Sequence, residues 1–154
     1  MNERSKCIVL DIDGVILDTS FLFKEIMDLG LKGDAKWDYF HKECNTDRVK
    51  LVPGFADFFL HLYDLKLSSN IDFILLTSRN EKVRKGTEFK LRLEGVFFDK
   101  LIMRPETDYT EASLLKKEAL QNIQKEYNII MYVDDDLKNC EVAKELGIYS
   151  LRRV

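Results

Sequence analysis

The chain has 154 residues, with 24 Lys and Arg against 27 Asp and Glu and a formal net charge of −3. That length suits one domain, and 45% hydrophobic residues with 11% aromatics can build a real core, since about two-thirds of the unfolded surface is hidden at this size. Two prolines and seven glycines exclude a fibrous or disordered chain, and the near-balance of charge argues against a generic nucleic-acid binder, although it leaves room for a local basic groove.

In chain order, an apolar run at 7–10 reads as a first strand and ends in two carboxylates, Asp11 and Asp13. From 18 to 52 no convincing strand follows. Two short helices, 20–29 and 34–43, flank Gly30 and Gly33, and the stretch reads as a small insert over one end of a sheet. A helix is expected over 54–65, a strand over 73–76, a helix over 81–93 and a strand over 100–103. Asp108 with Glu111 resembles a capping box opening a helix over 111–127. A strand over 129–133, a helix over 137–146 closed by Gly147 and a weak strand over 148–151 complete the chain. Alternating strands and helices predict an α/β fold, three-layered and Rossmann-like, with a parallel sheet of about five strands in a single domain. Internal repeats and the glycine-rich phosphate loops GxxxxGK[ST] and GxGxxG are absent.

The longest apolar run, 129–133, is far short of the ~20 residues that cross a bilayer. The opening MNERSKCIVLD meets a carboxylate before a signal-type apolar region forms. A soluble, cytoplasmic protein with no membrane association and no stable protein partner is the expectation. Cys7, Cys44 and Cys140 are odd in number and lack CxxC spacing, and with His41 and His61 they form no zinc pattern. They read as reduced, buried thiols.

Residues i and i+2 of a strand share a face, so Asp11 and Asp13 start on one side, and Gly14 lets the chain turn sharply after them. Ligands bind at the carboxyl end of a parallel sheet. The strand at 129–133 repeats the theme with Asp134, Asp135 and Asp136, then Lys138 and Asn139. Five aspartates are thereby directed to one cleft. Two like charges ~4 Å apart repel by roughly 4 kcal/mol at an effective dielectric of 20, so the cluster needs protons or a cation, and oxygen-only ligands favour Mg2+ over zinc. Thr77, Ser78, Arg79 and Asn80 follow the strand at 73–76 and precede a helix, an arrangement suited to phosphate. Lys116 and Lys117 lie inside the helix at 111–127, where either could neutralise a phosphate and a carboxylate together. Each feature also has a plain reading: a turn at Asp13-Gly14, a helix cap at 134–136, ordinary capping at 77–80, and surface lysines.

Taken in order, Asp11-Ile12-Asp13-Gly14-Val15, Leu76-Thr77, Lys116 and Val133-Asp134-Asp135 with Asn139 resemble the four motifs of the haloacid dehalogenase (HAD) superfamily of phosphotransferases. Trp37-Asp38-Tyr39-Phe40 with Cys44 and Asp47, and the segment from Leu101 through Arg104 to Thr110, are similar to the phosphatase domain of phage-type polynucleotide kinase-phosphatases. Ser78 stands where those relatives usually carry glycine. Asp136 stands where they continue with arginine, which removes a positive charge beside the metal site.

The resemblance implies a Mg2+-dependent phosphomonoesterase. Asp11 is its nucleophile, forming an aspartyl-phosphate, and Asp13 its general acid and base. Thr77 and Lys116 stabilise the phosphoryl oxygens, with Ser78, Arg79 and Arg104 also binding substrate. Mg2+ is held by Asp11, the Asp13 carbonyl and Asp135, with Asp134 direct or through water, and Asn139 supports Lys116 or the metal loop. Lys117 is the alternative to Lys116. The implied substrate is a nucleic-acid 3′-phosphate end, with Trp37, Tyr39, Phe40 and His41 available to stack on a base or to pack against the sheet. Six basic against seven acidic residues over 18–52 suit a mononucleotide or another small phosphate ester instead, because a groove tracking a long phosphate backbone is more basic. A catalytically silent phosphoryl- or partner-binding module is the reading from another class.

Overall fold

The computed structural model describes residues 3–154. Its strands are β1 (Ser5–Leu10), β2 (Leu17–Asp18), β3 (Lys50–Leu51), β4 (Asp72–Asn80), β5 (Lys100–Arg104), β6 (Tyr127–Asp134) and β7 (Ser150–Arg152). The helices are α1 (Ser20–Asp28), α2 (Gly33–Glu43), α3 (Phe55–Ser69), α4 (Arg84–Leu93), α5 (Ala112–Glu126) and α6 (Leu137–Glu145). A five-stranded sheet in the order β5-β4-β1-β6-β7 is parallel throughout.

Strand alternation sorts the core. Ile8, Leu10, Phe73 and Leu75 point to the side covered by α1–α4, whereas Cys7, Val9, Ile74 and Leu76 point to the side of α5 and α6. Both central strands are apolar on both faces because helices cover both, as parallel sheets require. From β1 the chain moves outward to β4 and β5, then crosses back to β6 on the other flank. The carboxyl end of β1 is therefore a topological switch point, where α/β sheets bind ligands.

Four expectations change. The segment 18–52 contains the ends of a two-stranded antiparallel pair, β2 with β3, too short to leave a periodic signal. The run Thr77–Asn80 belongs to β4 rather than to a helix start: Asn80 pairs with Arg104 of β5, and a 3-10 turn (Glu81–Val83) intervenes before α4. No capping box opens α5: Glu111 is its N-cap without a side-chain bond, and Asp108 Oδ1 instead accepts from the Thr110 N–H at 2.9 Å. The last strand lies at Ser150–Arg152, two residues later than its expected start.

The insert is anchored by packing. Leu22, Ile26 and Phe40 are buried, Phe23 stacks on Phe40 with centroids 5.2 Å apart, and the Tyr39 hydroxyl donates to Glu25 at 2.7 Å. All three cysteines are free and buried, and burial pushes the Cys7 thiol up to about 12 and that of Cys44 to about 11. Among the described residues no helix is long and apolar enough to cross a membrane.

Candidate active site

The loop after β1 forms because the backbone has to reverse immediately beyond that strand. The N–H groups of Ile16 and Leu17 return to the Ile12 carbonyl at 2.9 and 3.0 Å, and the Gly14 N–H bonds the Leu17 carbonyl at 2.9 Å. Gly14 has φ +83°, and a Cβ there would stand 2.1 Å from Asp135 Oδ2. Glycine is required on both counts, for its conformation and for the approach of the second acidic loop.

Asp11 is buried and faces Lys116, whose Nζ lies 2.9 Å from Asp11 Oδ1 and 2.7 Å from Asp134 Oδ2. Burial works against the lysine charge, but Asp11 and Asp134 outweigh it and hold its pKa above the ordinary lysine value. Burial drives the Asp11 carboxyl well above the usual carboxylate range, against the pull of Lys116. Asp134 is also desolvated, yet Lys116, the Tyr132 hydroxyl and the Asp136 N–H together hold it below that range. Its Oδ2 accepts from Lys116, Tyr132 and, at 3.1 Å, Asn139 Nδ2, and its Oδ1 accepts from the Asp136 N–H at 2.9 Å.

Asp135 is more open to solvent, and burial with the neighbouring Asp134 charge pushes it up to about 6. Carboxylate oxygens of Asp11, Asp134 and Asp135 lie within 4.8 Å of one another. An all-oxygen set of that size, whose like charges repel one another at this spacing, suits a hard divalent cation. Asp136 serves another purpose: its carboxylate caps α6, accepting from the N–H groups of Lys138 and Asn139.

Asp13 faces a different cation. Arg79 Nε and Nη2 grip its two oxygens at 2.9 and 2.7 Å, the fork geometry that makes arginine–carboxylate pairs strong. The guanidinium is itself buried and also donates to Asn45 Oδ1 at 2.7 Å, Thr87 Oγ1 at 3.2 Å and the Cys44 carbonyl at 3.3 Å. It is thus tied to the loop after β1, the insert and α4 at once. Thr77 is buried at the cleft, its Oγ1 accepting from the Arg79 N–H at 3.1 Å, while the Ser78 carbonyl accepts from Arg104 at 3.2 Å. Arg104 additionally donates to the carbonyls of Asp108 and Thr110, so three backbone groups hold it in the wall.

All ten sequence-derived site residues, Asp11, Asp13, Thr77, Ser78, Arg79, Arg104, Lys116, Asp134, Asp135 and Asn139, line one cleft of about 1460 Å³. Of the two lysines, Lys116 lies in the cleft and Lys117 is on the outside, 3.2 Å from Glu145. Of the insert aromatics, Trp37, Phe40 and His41 reach the cleft, whereas Tyr39 is spent on Glu25. Asn45, Thr87 and Tyr132 were missed. Tyr132 alone had a signal, being two residues before Asp134 and hence on its face of the strand. His41 Nε2 accepts from the Asn80 N–H at 3.4 Å and its buried Nδ1 has no partner among the described residues.

The sequence model of the HAD superfamily, subfamily IIIB (acid phosphatase), matches residues 1–148. The chain belongs to that family. Among solved structures it is similar to a chain of the Pnkp1/Rnl/Hen1 RNA repair complex, at 21% identity and a TM-score of 0.73 over 99% of this chain and 44% of that one. It thus spans under half the length of that relative. It is also similar to the class C acid phosphatase of Bacillus anthracis with tungstate bound (18% identity, TM-score 0.66, 97% and 68% covered). A haloacid dehalogenase-like hydrolase of Streptococcus pneumoniae gives 16% identity and a TM-score of 0.65, with 99% and 85% covered. At these identities the structural likenesses establish the HAD fold. No curated protein matches the chain.

Proposed function

We propose that the chain is a Mg2+-dependent phosphomonoester hydrolase with Asp11 as nucleophile. The observation that carries this reading is the division of labour between two neighbouring carboxylates: Asp11 beside Lys116 and the acidic cluster, Asp13 beside Arg79. Asp11 attacks phosphorus to form an aspartyl-phosphate as the ester oxygen leaves with a proton from Asp13. Water then attacks the phosphorus, giving its proton to Asp13 and releasing phosphate and the free Asp11 carboxylate. In the resting arrangement both Asp13 oxygens are held by Arg79, so the acid role requires one of them released toward the substrate. Asp11, Asp134, Asp135 and the Asp13 carbonyl would hold Mg2+, which when bound offsets the negative charge of the phosphoryl oxygens. Thr77 and Lys116 face the same oxygens from β4 and α5, a largely electrostatic contribution, and Asn139 fixes Asp134.

A nucleic-acid 3′-phosphate end is one substrate reading, supported by the likeness to a chain of an RNA repair complex. A mononucleotide or other small ester is favoured by the cleft itself. Lys82 lies 3.5 Å from Asp38, Lys138 pairs with Glu111, Arg104 is held by carbonyls and Arg152 donates to the Asp135 carbonyl, which leaves little cationic surface for a polyanion. The buried free thiols suit a reducing, cytoplasmic compartment.

The test is hydrolysis of p-nitrophenyl phosphate with and without Mg2+, followed by a 3′-phosphorylated oligonucleotide, a 3′-mononucleotide and a 5′-mononucleotide. Metal-dependent turnover that vanishes in Asp11→Asn is expected. Undiminished turnover by Asp11→Asn overturns Asp11 as the nucleophile, and no turnover by the wild type on any phosphoester leaves the silent binding module as the reading.

A further inference from the structure

Away from the cleft, α3 and α4 cover the same face of the sheet, and each turns an outward stripe to solvent. On α3 the stripe is Asp57, Leu60, Asp64, Leu67, spaced three, four and three residues apart, the spacing of one helix face. On α4 it is Lys85, Phe89, Arg92, with Leu93 beside it. Leu60, Leu67, Phe89 and Leu93 are between 63% and 69% exposed. Single exposed apolar residues are ordinary, but here Tyr63 of α3 meets Phe97, just beyond α4, with ring centroids 6.2 Å apart, so the apolar surface of one helix is joined to that of the next. Continuous exposed apolar surface of this kind marks an interaction site.

The charges say what covers it. Both charged residues of the α3 stripe are acidic and both of the α4 stripe are basic, and each pair is seven residues apart, about 10.5 Å along a helix. Among the described residues Asp57, Asp64 and Lys85 have no salt-bridge partner, and Arg92 has only a 4.0 Å approach to Glu88. The helices also run in one direction. α3 starts beside the Val52–Ile16 backbone bond at the carboxyl edge of the sheet and leads into Asp72, which pairs with the early β1 residue Cys7. α4 connects the parallel neighbours β4 and β5, and so descends the same way. A two-fold axis parallel to both helices therefore lays α3 of one copy along α4 of another in parallel. Asp57 and Asp64 then lie on the helix that faces the one carrying Lys85 and Arg92, and the leucines face the helix of Phe89 and Leu93. The same contact recurs on the other side of the axis, making the surface self-complementary as an isologous dimer demands.

We propose that the α3–α4 face is the interface of a homodimer, closed by apolar stripes and held in register by the Asp57/Asp64 and Lys85/Arg92 charges. It goes beyond the sequence expectation of no stable protein partner, and it is independent of the catalytic reading because none of these residues lines the cleft. The experiment is sedimentation equilibrium of the wild-type chain at about 50 µM, with circular dichroism confirming that each variant is folded. A dimer is expected. Leu60→Asp, and separately the reversal Lys85→Glu with Arg92→Glu, should weaken it by about tenfold or more. Adding Asp57→Lys and Asp64→Lys to the reversed chain should restore it. A wild type that stays monomeric at that concentration overturns the proposal. So does a dimer indifferent to Leu60→Asp, or a charge reversal that the second pair of substitutions fails to rescue.

Discussion

Lys116→Met tests whether the acidic cleft is held together by one buried ammonium. Lys116, Asp11 and Asp134 have side chains only 3%, 8% and 0% exposed, with contacts of 2.9 and 2.7 Å. At an effective dielectric of 20 each contact is worth roughly 6 kcal/mol of attraction. Much of that is offset by the cost of desolvating the lysine, so the net loss is smaller than the sum. Methionine keeps the stem and its packing but leaves two desolvated carboxylates facing each other. Removing one partner of a buried ion pair costs about 3–5 kcal/mol, and in a domain of this length that corresponds to a Tm lowered by roughly 6–20 °C. Urea unfolding at pH 7 with a metal chelator present measures it, with Lys117→Met as the surface control. Adding Mg2+ should recover more stability in Lys116→Met than in the wild type, because a divalent cation can take over the missing compensation. A loss under about 1 kcal/mol, or an equal loss in Lys117→Met, would refute the reasoning.

Gly14→Ala should destabilise the fold by about 2 kcal/mol or more, since it places a Cβ at φ +83°, and should weaken Mg2+ binding because Asp135 has to retreat from the 2.1 Å contact; urea unfolding and calorimetric titration with Mg2+ report the two effects separately. Stability should also fall as the solution is acidified. Burial, with Lys82 and Arg79 nearby, lowers the pKa of His41, so the unfolded chain takes up its proton near pH 6.5 before the folded one does. The contribution of His41 is therefore complete above about pH 6.5 and lost as pH drops through the folded value. Urea unfolding at pH 7 and pH 5 should show a smaller acid loss in His41→Gln than in the wild type, and equal losses would remove His41 from the account.

Much of this site could be read before any coordinates because its chemistry sits at strand ends, where a short apolar run followed by carboxylates is conspicuous. Asp11, Asp13, Asp134 and Asp135 were all visible in this way. The choice between Lys116 and Lys117 was also latent in the sequence: Ser113, Lys116, Leu120 and Ile123 form the buried stripe of α5, and Lys117 falls outside it. By contrast, the four residues that extend β4 to Asn80 are polar, and only the backbone pairing of Asn80 with Arg104 makes them strand. The two-residue strands β2 and β3 are shorter than any period can reveal.

Arg79 shows why the remainder needed the tertiary structure. From its position after Thr77 it reads as a phosphate ligand, yet its nitrogens are taken by Asp13, Asn45, Thr87 and the Cys44 carbonyl. Three of these partners are brought in from segments 34 to 66 residues away in sequence. Two of them, Cys44 and Asn45, belong to the insert, which makes the insert more than a cover. Its position fixes the guanidinium, the guanidinium fixes both oxygens of Asp13, and Asp13 is the group proposed to move the proton. A displacement of α2 would thus reach the acid–base carboxylate through one buried side chain while leaving the Asp11–Lys116–Asp134 cluster, built entirely from β1, α5 and β6 and their carboxyl-end loops, in place.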